Sequence, residues 1–192
     1  MNFAGVDFGS RYAGTTVVCF EKEGKLFFLQ SIKGEDSDAL IIEITKKMKI
    51  DTLYIDAPLS VPSAYRNVGH NYHYRQCDLE LGAMSPMFLG GLTARACHLK
   101  FLLSQNNISV HEVYPTALVK RLNDVSSFYN KKSKASLTNF VDAFLPLSPF
   151  QPNIPPVNWH HVDSWLAWYS GWRHINNIHT IFGSDDEGYI IV

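Results

Sequence analysis

Two short apolar segments of this 192-residue sequence end in the same way, with an aspartate followed within two residues by glycine or proline. Asp7 lies near the end of segment 2–8, and Asp56 directly follows segment 51–55. Segments of this length and composition are typical of buried strands. A carboxylate at the end of such a strand is costly unless it is hydrogen-bonded, solvated or bound to a cation. Because ligands of open α/β sheets lie at the carboxyl ends of the strands, the two aspartates predict a shared crevice.

The order of the predicted elements favours an α/β fold. Apolar and β-branched segments predict strands at 2–8, 15–21, 25–32, 51–55, 108–113 and 188–192. Helical spacing predicts a helix with Ser37 or Asp38 as its N-cap, and others at 74–81, 92–105, 116–122, 136–145 and 159–174. Three leading strands followed by alternating helices and strands argue for a mixed sheet with helices on both faces. Residues 57–91 are expected to form a long loop insertion within a single domain of residues 1–192.

The composition indicates a globular protein, with 46% hydrophobic and 18% charged residues. No apolar run is long enough for a transmembrane helix, and the first residues lack the features of a signal peptide. Cys19, Cys77 and Cys97 have no zinc-ligand spacing and are expected to be reduced. These features predict a cytoplasmic protein with no membrane partner. The formal net charge of −1 does not indicate a nucleic-acid binder, although a local basic patch can serve that purpose.

Two further acids are candidates for the same crevice. Glu112 ends the strand at 108–113, and strand alternation places it on the face of Val110. Asp163 shares a helical face with Leu166, three residues later, so that it would pack towards the sheet. Each acid also has a structural interpretation: Asp7 as a turn cap, Glu112 as a solvent-facing residue, and Asp163 as an acid in the first turn of a helix.

A cluster of carboxylates predicts a particular chemistry. Acids around one crevice repel each other, and a divalent cation relieves that repulsion. Oxygen ligands favour Mg²⁺ or Mn²⁺. Two such ions can activate water and stabilise the leaving oxygen in phosphodiester cleavage. The neighbouring His160 and His161 point in different directions on a helix and cannot both act as ligands through i,i+4 spacing.

Several motifs resemble those of a known group of proteins. The first, Gly5-Val6-Asp7-Phe8-Gly9-Ser10 followed by Gly14, looks like the first-strand signature of ribonuclease H-like nucleases, including the Holliday-junction resolvase group. The others closely resemble the DUF429 family, which is predicted to consist of nucleases of that fold. They are Ile55-Asp56-Ala57-Pro58-Leu59, Arg75-Gln76-Cys77-Asp78, Glu112-Val113-Tyr114-Pro115 and Asp163-Ser164-Trp165-Leu166-Ala167. The resemblance covers most of the chain and includes the ending at 183–192.

The resemblance implies a ribonuclease H-like mixed sheet of five strands with the second strand antiparallel. It implies metal-binding acids on strand one, on strand four and on the last helix, which are the places of Asp7, Asp56 and Asp163. Glu112 is a candidate fourth catalytic residue. Arg75 and Asp78 match a family pattern in the long loop, where they either contact substrate or form an ion pair that holds the loop. The remaining candidate substrate-binding residues are Ser10 and Arg11, in the tight connection after the first strand.

Three functions are compatible with these features. The first is a metal-dependent nuclease acting on DNA or RNA. The second is an actin-like nucleotide-binding phosphotransferase, because residues 7–10 also resemble a phosphate-binding hairpin, although no second glycine-rich loop is evident. The third is a non-catalytic binding protein on the same fold. The basic cluster at 131–134 is either a contact for a phosphate backbone or a solvated charge run. A homodimer is the candidate assembly.

Overall fold

The computed structural model describes residues 2–192, in which eight strands form one mixed sheet. The strands are β1 (Phe3–Asp7), β2 (Val17–Lys22), β3 (Lys25–Gln30), β4 (Thr52–Asp56), β5 (Ser109–Val113), β6 (Gln151–Pro152), β7 (Ile181–Ser184) and β8 (Gly188–Ile191). Their order across the sheet is β6-β3-β2-β1-β4-β5-β8-β7. β2 runs antiparallel to β1 and β3. The neighbouring pairs β1–β4, β4–β5 and β5–β8 are parallel. The predicted α/β class is therefore confirmed.

The sheet has eight strands where the resemblance implied five. The two-residue β6 forms one edge of the sheet and pairs with Lys25 and Leu26 of β3. It lies in the proline-rich segment 148–157, and proline is compatible with an edge strand. At the other edge, β7 and β8 form an antiparallel hairpin in which Gly183 and Gly188 both adopt positive φ angles. The sequence predicted β8 but not its partner β7, since only four residues of β7 pair.

Helices cover both faces of the sheet. They are α1 (Ser37–Lys47), α2 (Gln76–Leu81), α3 (Pro86–Leu89), α4 (Gly91–Ser104), α5 (Pro115–Val119), α6 (Asn123–Ser126), α7 (Lys134–Phe144) and α8 (Trp159–Ile175). One core lies between the sheet and helices α1 and α4, and includes Ile41 and Leu99. The other lies between the sheet and α5, α7 and α8, and includes Phe144 and Trp165. No helix within residues 2–192 is long and apolar enough to cross a membrane.

Helix α8 crosses strand β1 without an intervening side chain. Gly5, in the middle of β1, faces the helix, and a Cβ atom built on it would lie 2.0 Å from the backbone nitrogen of Trp168 and 2.5 Å from the carbonyl oxygen of Ser164. Glycine permits this close approach because it has no side chain. The contact brings the first turns of α8 over the carboxyl end of β1.

The insertion at 57–91 is partly regular. It contains a 3₁₀ turn at Ser63–Arg66 and the two short helices α2 and α3. The sequence predicted a helix in the region of α2 but not α3, whose N-cap is Ser85 followed by proline at the first helical position. The N-cap of α1 is Asp36, rather than the predicted Ser37 or Asp38. The Asp36 carboxylate is the acceptor for the backbone N–H of Asp38 at 2.9 Å, whereas Ser37 is the first residue of the helix.

Candidate acidic active site

Asp7 and Asp56 are direct neighbours across two parallel strands. They are the last residues of β1 and β4, and their Cα atoms are register partners. Parallel neighbours in register point their side chains to the same side of the sheet. Both aspartates line one cavity of about 330 Å³, together with residues of the insertion and of β5. The shared crevice predicted from the sequence is therefore a feature of the structure.

Asp163, on helix α8, does not line this cavity, but its charge acts on both Asp7 and Asp56. The residue lies in the second turn of that helix and is 3% exposed. Its Oδ1 atom accepts a hydrogen bond from the hydroxyl of Tyr129 at 2.5 Å, and its Oδ2 atom accepts one from Nζ of Lys131 at 2.5 Å. Burial raises the pKa of Tyr129, so the hydroxyl keeps its proton and donates. Both oxygens of Asp163 are thus held by the segment between α6 and α7.

His160 contacts the first of the three aspartates. Its Nδ1 atom lies 2.7 Å from Oδ2 of Asp7. The hydrogen bond to Asp7 raises the pKa of His160. Desolvation nevertheless raises the pKa of Asp7, with the charge of Asp163 acting in the same direction and His160 opposing it. The charge of Asp163, on helix α8, therefore disfavours ionisation of Asp7.

Asp56 is the carboxylate with the least support. None of the groups whose placement the structure describes donates a hydrogen bond to the Asp56 carboxylate. Burial raises its pKa well above the usual range, and the charges of Asp163 and Asp7 raise it further, while Lys131 opposes them. A partly buried carboxylate next to two others is the arrangement that a bound cation would relieve. Burial and two neighbouring like charges thus both disfavour the ionised form of Asp56.

The donor set fits a hard divalent cation. Asp7, Asp56 and Asp163 offer only oxygen, as Mg²⁺ and Mn²⁺ prefer, and among the described side chains Lys131 and His160 supply positive charge beside them. No group of three or more His, Cys, Asp or Glu side chains in the described residues is arranged to hold a metal ion. Two of the three carboxylates are instead engaged by Lys131 and His160. Binding of a cation by all three aspartates would require Lys131 and His160 to break their contacts with Asp163 and Asp7.

Glu112 lines the same cavity but forms an ion pair with Arg75. Its two oxygens accept hydrogen bonds from the guanidinium of Arg75 at 2.6 and 2.7 Å, and one of them also accepts the backbone N–H of Leu59 at 2.8 Å. Arg75 is fully buried and also donates to both oxygens of Asp78, at 2.6 and 3.0 Å. The geometry of Arg75 and Asp78 is thus that of the ion pair that holds the loop, one of the two roles considered for them.

Ser10 and Arg11 lie on the turn after β1 and do not line the cavity. Arg11 donates two hydrogen bonds to the Asp36 carboxylate, at 2.9 and 2.6 Å. These hydrogen bonds lower the pKa of Asp36 to about 2. Ser10 is exposed. The structure therefore brings Asp7, Asp56, Asp163 and Glu112 to one place but leaves Ser10 and Arg11 outside it.

Three residues at the site were not recognised from the sequence as parts of it. Tyr129 and Lys131 come from a loop whose contact with Asp163 has no sequence signal. For His160 the sequence offers only a possible role as a metal ligand, not a contact with Asp7. The basic cluster that includes Lys131 predicted a phosphate contact or a solvated run, whereas Lys131 forms an ion pair with Asp163. Glu187, in the β7–β8 turn, is a fourth unpredicted residue. Its carboxylate accepts the backbone N–H groups of Ser63 and Gln76 and ties the insertion to the sheet.

Comparison of the chain with models of known protein families, with curated proteins and with solved structures finds no match. The resemblance to the DUF429 family consequently stays a prediction based on its motifs. The chemistry of the site is interpreted from its own geometry.

Proposed function

We propose that this protein is a divalent-cation-dependent nuclease of the ribonuclease H-like type, which hydrolyses phosphodiester bonds of nucleic acid with Mg²⁺ or Mn²⁺. The observation that carries the proposal is the register pairing of Asp7 and Asp56 at the carboxyl ends of adjacent parallel strands, with Asp163 electrostatically coupled to both. Such a cluster of oxygen ligands at a cavity is suited to phosphoryl chemistry.

The topology around the site supports the same interpretation. The five strands β3-β2-β1-β4-β5 are consecutive in the sheet, with β2 antiparallel to both of its neighbours. This is the arrangement that the motif resemblance implies for a ribonuclease H-like core. The three aspartates occupy the first strand, the fourth strand and the last helix, which are the places that the resemblance gives to the metal-binding acids.

The chain's own residues would have distinct roles. Asp7, Asp56 and Asp163 hold the cation, which supplies an activated water and stabilises the leaving oxygen when it is bound. The cavity is lined in part by apolar side chains of the insertion, including Met84 and Leu89, which would pack beside a bound substrate. Arg75 and Glu112 act as a support that fixes the insertion beside the aspartates, rather than as ligands.

The test uses Asp7→Asn, with Asp124→Asn as the matched control, because Asp124 is an exposed residue of α6 outside the cavity. Cleavage of single-stranded DNA, duplex DNA, RNA, a four-way junction and a small phosphodiester is measured with Mg²⁺, Mn²⁺ or EDTA. We expect metal-dependent cleavage of at least one nucleic acid, reduced by Asp7→Asn at least about a hundredfold and unchanged by Asp124→Asn. Cleavage that persists in folded Asp7→Asn, or its absence on every substrate at millimolar metal, would contradict the proposal.

A further inference from the structure

Lys131 makes the closest contact between a cationic side chain and the acidic cluster. Its Nζ atom lies 2.5 Å from Oδ2 of Asp163. The residue comes from the loop between α6 and α7, and its side chain lines the cavity that Asp7 and Asp56 also line. The ammonium therefore lies beside the carboxylates that would hold a metal ion.

The charge of Lys131 acts on all three aspartates. It opposes the upward shift of the pKa of Asp7 and of Asp56, and it pairs directly with Asp163. His160 engages Asp7, and within residues 2–192 no hydrogen bond supports Asp56. Among the side chains that the structure describes, Lys131 thus supplies positive charge to all three aspartates.

The ion pair between Lys131 and Asp163 can also break without unfolding of the site. The side chain of Lys131 is 46% exposed, whereas that of Asp163 is 4% exposed. The ammonium can move into water by rotation of its long, flexible side chain, without disturbing the core. Tyr129 anchors the same loop by packing against Phe140 and Trp159, with ring centroids 5.4 Å away in each case. The lysine can therefore leave while the loop stays in place.

We propose that Lys131 is a displaceable resident counter-cation: it neutralises the acidic site in the metal-free protein, and a divalent cation binds in competition with it. The inference rests on the proposed function, since it concerns the same site. One oxygen of Asp163 cannot bind the ammonium closely and a metal ion without bringing the two positive charges together. Loading of the site thus moves Lys131 towards the mouth of the cavity, where its charge is complementary to a phosphate group.

The experiment measures the binding of Mg²⁺ and of Mn²⁺ alone by titration calorimetry, which does not depend on activity. The proteins are the wild type, Lys131→Gln, the matched control Lys132→Gln and the site variant Asp7→Asn. Lys132 is the next residue, is exposed and forms no side-chain hydrogen bond or ion pair within the described residues. We expect Lys131→Gln to bind the metal roughly tenfold more tightly than the wild type. Lys132→Gln should bind like the wild type, and Asp7→Asn should not bind.

The outcomes separate this inference from the proposed function. Equal or weaker binding by Lys131→Gln, with wild-type binding that is lost in Asp7→Asn, would overturn the role of Lys131 and leave the metal site intact. Absence of binding in both the wild type and Lys131→Gln at millimolar metal would overturn both proposals.

Circular dichroism checks the fold of each variant. If Lys131→Gln does not fold, Lys131→Met and the charge-retaining Lys131→Arg replace it. Then Lys131→Met must bind more tightly than Lys131→Arg, and equal binding would contradict the inference.

Discussion

Arg75 and Glu112, which lie 37 positions apart in the sequence, are joined by two hydrogen bonds between guanidinium and carboxylate. The same guanidinium binds Asp78 and donates to the hydroxyl of Ser60 at 2.8 Å. One buried cation thus satisfies two buried carboxylates and connects the insertion to strand β5. The acids around the cavity therefore form two groups. Arg75 neutralises Asp78 and Glu112, whereas burial and like charges raise the pKa of Asp56 in the other group.

We expect Arg75→Met to lower the free energy of unfolding by about 3–5 kcal/mol, because it leaves Asp78 and Glu112 buried without a counter-charge. Arg75→Lys should also destabilise the protein, since an ammonium cannot reproduce the paired hydrogen bonds of a guanidinium. Urea unfolding measures both variants. The control is Arg66→Met at an exposed position, where a change within about 0.5 kcal/mol is expected. Wild-type stability of Arg75→Met would show that the buried pair is not needed to hold the insertion.

A second prediction concerns the crossing of α8 over β1. Gly5→Ala places a methyl group against the backbone of Trp168, which cannot move without displacing the helix. We expect a loss of stability of about 2–4 kcal/mol by thermal unfolding, together with weaker metal binding, since Asp163 moves with α8. Gly91→Ala is the matched control because its Cβ would meet open space at the start of α4. An unchanged melting temperature for Gly5→Ala would contradict the close packing.

Local sequence pattern predicts the parts of this site that belong to strands. Asp7 and Asp56 each follow an apolar segment, and this pattern places both at the carboxyl edge of the sheet before any tertiary contact is known. Glu112 has the same pattern but a different partner. Its pairing with Arg75 depends on how the insertion folds back across the sheet. Strand pattern therefore predicts where a carboxylate lies but not what binds it.

The unpredicted contacts are long-range and come from irregular segments. Lys131 and Asp163 are 32 positions apart, and the loop that carries Lys131 has no periodicity that indicates its direction. Glu187 reaches Ser63 across 124 positions. Such pairings depend on the packing of whole elements, which propensity and hydrophobic period do not specify. The short β7 and α3 are missed for a related reason, since four residues are too few to establish a period.

Asp56→Asn is expected to stabilise the protein. Because the pKa of Asp56 is raised in the folded state, the unfolded chain ionises first as pH increases above about 3.9, and folding loses stability until the folded pKa is passed. The amide removes that loss, and each pKa unit corresponds to about 1.4 kcal/mol. Chemical unfolding at pH 4 to 8 should show an advantage of Asp56→Asn that increases with pH. Asp124→Asn should show no such trend, and a pH-independent or negative difference for Asp56→Asn would exclude the predicted strain.

The contact between His160 and Asp7 predicts a stabilising contribution that is likewise lost as pH rises. The hydrogen bond raises the pKa of His160 above that of the unfolded chain, about 6.5, so its stabilising contribution is complete below that pH and is lost as pH rises through the folded pKa. Because 43% of the side chain is exposed, we expect the contribution to stay below about 1 kcal/mol. Unfolding of His160→Asn should thus show a deficit at pH 5.5 that has vanished by pH 9. His70→Asn, at an exposed position, provides the control. A deficit of the same size at both pH values would mean that His160 contributes through packing and not through its charge.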